Sequence, residues 1–442
     1  MIQRRKKILF MAEGITMTHF VRPAALAESL DPGEFDVYFR TPRRYHRLLQ
    51  RPVGRIGELR TIEPEAFLAA LAQGAPPYTA DDLMRYVEDD LRTFDEVRPD
   101  LVIGDFRLSL CVSAPLAGIP FASIFNAQWS PFARQPAVVP EIPLTRYVSP
   151  CILNRLFAAI RPAVFALHSK PVNDARRHFG LPRLSHDLRA IYTAGDFTLY
   201  PDIPEFAPVS TLPSSHHYIG ACPWSVDTFN TARPAWWNDV MHSPRQKIFI
   251  SLGSSGPVKA LPAVLRAAAS LPVEIILATS GRDLGPLASN IHTAALLPYV
   301  ETASKCAFVV SHGGTGGLYP ALTAGAPMLA VPSNIDNHLS TALLTKSGAG
   351  LSIRVESATP ERLRTAMERL LYDGAFKSAA QNWAEKIARY DTHTIFPAIL
   401  KDWFASKSQG TVPVADVRPA SEEAECVGAS RENSEMQTSI VR

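Results

Sequence analysis

At 442 residues, with 46% hydrophobic and 20% charged residues, the chain is long enough for two domains with ordinary cores and has the make-up of a soluble globular protein. A formal net charge of +3, without basic runs interleaved with aromatics, excludes an electrostatic nucleic-acid binder. Five scattered cysteines (Cys111, Cys151, Cys222, Cys306, Cys426), odd in number and without C-x-x-C spacing, argue against a disulfide framework or zinc site and for a reducing cytoplasm.

The chain opens on "MIQRRKKILFMAEG", whose apolar core stops at Glu13. That is too short for a signal peptide and reads as a buried first strand. "VRPAALAESL" has helical spacing, and "FDVYF" is the next strand. "ADDLMRYVEDDLRTFDEV" predicts an amphipathic helix, its acidic runs Asp81-Asp82 and Glu88 to Asp90 falling on a solvated face. "PDLVIGD" is a strand, and "CVSAPLAGIP" and "FASIFN" continue the alternation. The uncharged stretch from Leu108 to Ala133 is cut by Pro115, Gly118, Pro120 and Pro131 and makes a poor membrane-spanning helix. "LNRLFAAIRPAVFALHSK" predicts one or two helices. The arginines Arg146, Arg155 and Arg161 leave a peripheral membrane contact open, but on a helix such residues more often face water.

Residues 221–246, rich in proline and tryptophan, read as a connection between domains. Beyond it the alternation restarts with "KIFISLGS", "VEIILAT", "HTAALLPYV", "AFVVSHGG" and "MLAVP", followed by the helices "PERLRTAMERLLYD" and "FKSAAQNWAEKIARY". The expected organisation is a domain over 1–220, the linker, a second domain over 247–385, and a helix over 386–407 crossing back to the first. A tail over 408–442, poor in large apolar residues, is expected to be disordered. Strand–helix alternation in both halves predicts an α/β protein with two parallel sheets covered on both faces.

The most informative stretch is "FVVSHGGTGGLYPALTAGAPMLAVP", residues 308–332. A buried strand ends at Ser311-His312, four glycines surround Thr315, and a helix follows. Parallel sheets bind ligands beyond the carboxyl ends of their strands, and a glycine turn into a helix N-terminus suits a diphosphate. By itself such a turn is equally a tight turn with no ligand.

Taken with "AGAP" and "VPSNIDN" downstream, the turn resembles the nucleotide-sugar signature of the family 1 glycosyltransferases. "ISLGSS" and "HYIGACPW" resemble further landmarks of that family, and the resemblance runs over about residues 6–405. It implies a GT-B architecture, two Rossmann-like domains facing a cleft. It implies donor contacts from Ser254, Ser255, Tyr299, His312, Gly313, Gly314, Thr315, Gly316, Gly317, Asp336 and Asn337. "ILFMAEGITMTHF" resembles the family's opening segment, with His19 at its catalytic histidine, and "PDLVIGDF" puts Asp105 at the aspartate that pairs with it. Histidine suits a general base near neutral pH, and a carboxylate beside it orients the ring. In isolation His19 is better read as a polar residue near a helix start, and Asp105 as a turn residue; matched jointly with the second-half motif, both favour the functional reading.

The expected activity is inverting transfer from a UDP- or dTDP-sugar, a co-substrate, to a hydroxyl of a small apolar natural product or lipid, as in secondary metabolism. No cofactor is expected and, without a D-x-D pair, no metal. Phe125, Trp129 and Phe132 are expected to line the acceptor cleft, although each alone reads better as core packing. Four positions depart from the family pattern: Gly317 for Ser or Thr, Pro320 for the ribose-binding glutamate, Tyr299 for the glutamine of a P-Q loop, and Asn337 for glutamine. Pro320 is expected in the first helical turn, and Tyr299 offers a ring for stacking on the base. These departures keep open a degraded scaffold acting as a binding partner. A nucleotide-sugar epimerase also shares the architecture, as does a pyridoxal phosphate phosphorylase using Lys259 or Lys305.

Overall fold

The computed structural model describes residues 4–49, 53–222, 233–253 and 256–408. The expected tail, Cys426, Ser254, Ser255 and residues 223–232 of the expected connection lie outside the described residues.

Two parallel sheets organise the chain. The first contains β1 (Lys6–Ala12), β2 (Phe35–Thr41), β3 (Arg55–Glu58), β4 (Leu101–Asp105), β5 (Phe121–Ile124), β6 (Phe197–Tyr200) and β7 (His216–Tyr218), in the order β3-β2-β1-β4-β5-β6-β7. The second contains β8 (Lys247–Ser251), β9 (Glu274–Ala278), β10 (Ile291–Ala294), β11 (Phe308–Ser311), β12 (Met328–Ala330) and β13 (Gly350–Ser352), in the order β10-β9-β8-β11-β12-β13. The central strands are near-continuous apolar runs buried on both sides, as the core of a doubly wound sheet requires.

Strand order reverses once in each sheet, between β1 and β4 and between β8 and β11. At such a switch point the two crossover connections diverge to opposite faces and leave a crevice. The β1–β4 register pairs Ala12 with Asp105, and the β8–β11 register pairs Ser251 with Ser311. Both crevices therefore open at residues the sequence marks.

The helix Thr392–Ser408 lies on the first sheet. Phe396 and Leu400 are fully buried, Phe396 sits 6.2 Å from Phe10, and Trp403 sits 5.5 Å from Phe197. One acidic run differs from expectation. Asp82 closes a capping box with Thr79, and Asp90 is wholly buried rather than solvated.

Candidate active site

The loop after β1 leads into the helix Met17–Glu28, which carries His19 and Arg22 one turn apart on one face. Asp105 ends β4 beside it and is fully buried. His19 Nδ1 lies 2.7 Å from Asp105 Oδ1. Arg22 grips the same carboxylate as a fork, Nε to Oδ2 at 2.8 Å and Nη2 to Oδ1 at 2.7 Å. Burial opposes the charge on Arg22, yet Asp105 outweighs it and holds the guanidinium pKa above its ordinary value. Arg22 also donates to Asn126 Oδ1 at 2.9 Å, and the Asn126 amide donates to Asp202. Sequence reasoning missed Arg22, Asn126 and Asp202. A lone arginine within the apolar run "HFVRPAAL" was the available signal for the first of them.

Directly behind this pair, Phe106 adopts φ 57°, a left-handed conformation rare for a bulky residue. The turn presents the Phe106 ring 5.2 Å from His19 and sends Arg107 into the core. Arg107 pairs there with Glu13 at 3.2 Å and Asp90 at 2.8 Å, and Asp90 accepts further bonds from Ser109 and Ser113. Burial raises both carboxyl pKa values, with Arg107 opposing it. Glu13 follows β1 and Arg107 follows β4, so this pairing ties the segment that leads to the His19 helix to the segment just after Asp105.

At the second switch point His312 directly follows β11, and Gly313 (φ 83°) turns the chain into the helix Thr315–Thr323, which Gly314 precedes as N-cap. His312 is partly buried, and the loss of solvent around its ring lowers its pKa to about 4 against the pull of Asp336, so the ring is neutral near pH 7. Its Nδ1 faces the Leu252 backbone without an aligned hydrogen bond. Asn337 Oδ1 and the Tyr299 hydroxyl also lack an aligned partner. Three incompletely bonded polar atoms around one glycine turn are what a polar ligand would satisfy.

The surroundings of several expected donor contacts are specific. A Cβ on Gly316 would come within 2.0 Å of Thr18 Oγ1, so the absence of a side chain here makes room for the first half of the chain. A Cβ on Gly317 would meet Ser311 Oγ at 2.9 Å and the Tyr299 hydroxyl at 3.1 Å, which gives a steric reason for the missing Ser or Thr. The Tyr299 ring lies edge-on to Phe249 at 4.9 Å. Pro320 sits inside the helix rather than in its first turn, because the helix already begins at Thr315. The Asp336 carboxylate, expected beside a sugar, accepts from Trp129 Nε1 at 2.8 Å and Gln128 Nε2 at 2.9 Å through Oδ1. Thr315 Oγ1 donates to Asn126 Oδ1 at 3.2 Å, a further link between the halves.

One cavity of about 520 Å³ lies between the switch points. His19 and Arg22 line it from one side, and His312, Gly314, Thr315, Asp336 and Asn337 from the other. Its remaining wall is largely apolar, with Phe67, Phe125, Trp129, Phe157, Phe165 and Tyr192. Phe132 is absent from that wall; its ring packs on His216 at 5.7 Å. A smaller space of about 120 Å³, bordered by Gly253, Tyr299, Ser311, His312, Gly316 and Gly317, adjoins the turn. Lys259 is ion-paired with Glu141. Among the described residues no three His, Cys, Asp or Glu side chains cluster as a metal site.

Residues 262–395 match the family "Erythromycin biosynthesis protein CIII-like, C-terminal domain". The chain is 40% identical over 385 residues to a "PGL/p-HBAD biosynthesis glycosyltransferase" of Mycobacterium tuberculosis (strain ATCC 25177 / H37Ra), covering 87% of this chain and 89% of the relative. To a "PGL/p-HBAD biosynthesis rhamnosyltransferase" of Mycobacterium bovis (strain BCG / Pasteur 1173P2) it is 40% identical over 387 residues, covering 87% and 85%. Among solved structures, "Spinosyn Rhamnosyltransferase SpnG complexed with thymidine diphosphate" superposes with a TM-score of 0.62 at 18% identity, over 90% of this chain and all of that one.

Proposed function

The chain belongs to the family 1 glycosyltransferases with the GT-B fold, of the natural-product type, and from that premise we propose that it transfers a sugar from a nucleoside diphosphate donor to a hydroxyl of an apolar acceptor, with inversion and without a metal. The observation that carries this reading is one cavity lined at one end by His19, whose ring the buried Asp105 holds, and at the other by the glycine turn.

The acceptor hydroxyl faces His19 and the donor sugar reaches in from the turn. With Nδ1 held by Asp105, the His19 Nε2 is the nitrogen that takes the hydroxyl proton as the oxygen attacks the anomeric carbon. The new carbon–oxygen bond forms on the face opposite the breaking bond to the diphosphate, which leaves with the electron pair. Charge on the leaving group meets the N–H groups at the start of the Thr315–Thr323 helix and the neutral His312. The Arg22 fork fixes the Asp105 carboxylate in place, and that carboxylate in turn orients the imidazole.

Pro320 offers no carboxylate to ribose hydroxyls, which favours a deoxyribose nucleotide. A relative named a rhamnosyltransferase and a neighbour holding thymidine diphosphate support a dTDP-sugar ahead of a UDP-sugar. Free cysteines at Cys111, Cys151, Cys222 and Cys306 suit a reducing cytoplasm. The test is release of dTDP or UDP from a panel of sugar donors with aryl and alkyl alcohols, in chelator, with the anomeric configuration of the product read by NMR. The expected product is inverted; release from no donor, or a retained configuration, overturns the reading.

A further inference from the structure

The helix Pro150–His178 runs 29 residues beside the cavity and has two unlike faces. Leu153, Phe157, Phe165 and Val172 are buried, and the helix packs against Ala80–Val97. On its outer side Ile152, Leu156 and Ile160 recur every fourth residue and form one exposed stripe. Ile152 is 60% exposed, Leu156 54%, and Tyr147 in the preceding turn 86%. With Leu144 and Leu167, six of the eleven large exposed apolar side chains among the described residues fall between 144 and 167. Singly exposed leucines need no explanation, but a concentrated patch does.

This is also the one helix among the described residues long and apolar enough to cross a membrane, with 17% of its apolar window buried. Its inner face is packed on protein and its outer face is bare, the arrangement of a helix lying along an interface rather than spanning one. From residue 142 to 173 the sequence contains no acidic residue. Arg146 and Arg155 are exposed there, and neither has an ion-pair partner among the described residues. Leu144, Leu156 and Ile160 are exposed and at the same time line the cavity, so the patch is continuous with its mouth.

We propose that this face docks on an anionic lipid bilayer, the apolar stripe entering the interface and Arg146 and Arg155 meeting headgroup charge. An apolar acceptor then passes from lipid to His19 through the mouth at Leu156 and Ile160. That route rests on the cavity being the acceptor site, whereas the docking itself is read by lipid binding alone. Flotation of the full chain with vesicles of phosphatidylcholine and phosphatidylglycerol, against phosphatidylcholine alone, separates the two claims. Co-flotation with the anionic vesicles only is expected. The double variant Ile152→Asp/Arg155→Glu, outside the cavity lining, is expected to weaken it about tenfold or more with melting temperature and nucleotide binding unchanged. No co-flotation, equal binding to neutral vesicles, or a variant that floats like the wild type would overturn the docking. A wild-type dimer that the same variant dissociates would assign the face to a second copy and overturn it too.

Discussion

The two switch points differ in how completely their polar atoms are bonded. At the first, Asp105 takes three contacts, two from Arg22 and one from His19, and Arg22 is anchored onward to Asn126. At the second, His312 is held neutral by burial, and its Nδ1, Asn337 Oδ1 and the Tyr299 hydroxyl lack aligned partners. The difference teaches that folding alone sets the geometry of the base, while the turn is a polar surface that a ligand completes.

Breaking the first site should have the largest effect. His19→Ala is expected to lower turnover by about 10²–10⁴-fold in a donor-consumption assay, with the melting temperature near wild type. Arg22→Met leaves Asp105 buried with His19 alone. It should cost about 3–5 kcal/mol in chemical denaturation, and a loss under about 1 kcal/mol would show that Arg22 does not hold that charge in place.

Acidification probes the second site. The unfolded chain binds protons at His312 near pH 6.5, but the folded one only near about 4, so stability contributed by the neutral ring is present above 6.5 and lost as pH falls towards 4. At pH 5 the loss from this group is about 2 kcal/mol. Thermal melts of His312→Asn from pH 8 to 5 should be correspondingly flatter than wild type; buried His216 and His338, with pKa values lowered to about 4 and about 3, keep a residual slope in both. The smallest effect is expected at the contact between the halves. Trp129→Phe removes the indole bond to Asp336 and keeps the apolar wall, at about 1 kcal/mol, and should speed amide exchange in the helix Ile335–Lys346.

Much of this was legible in the sequence where strand ends carry unusual residues. His312 and its glycines, and Asp105 after "LVIG", are marked by chemistry at the close of an apolar run. Asp90 was legible and misread: it shares the helical phase of Leu83, Tyr86, Val87, Phe94 and Val97, the buried face. β3 and β7, "RIGE" and "HHY", are short and mixed in polarity, so no apolar run announces them. Phe132 lies in a loop, where no periodicity tells a cavity wall from the packing against His216. Asn126 and Asp202 are 76 positions apart, and only the fold joins them.

Calorimetric titration of dTDP, in chelator, into wild type, His19→Ala and His312→Ala tests the division of labour most directly. Saturable binding with the same Kd is expected for wild type and His19→Ala, and binding weaker by about tenfold or more for His312→Ala. Equal weakening in both variants, or unchanged binding in His312→Ala, would contradict it.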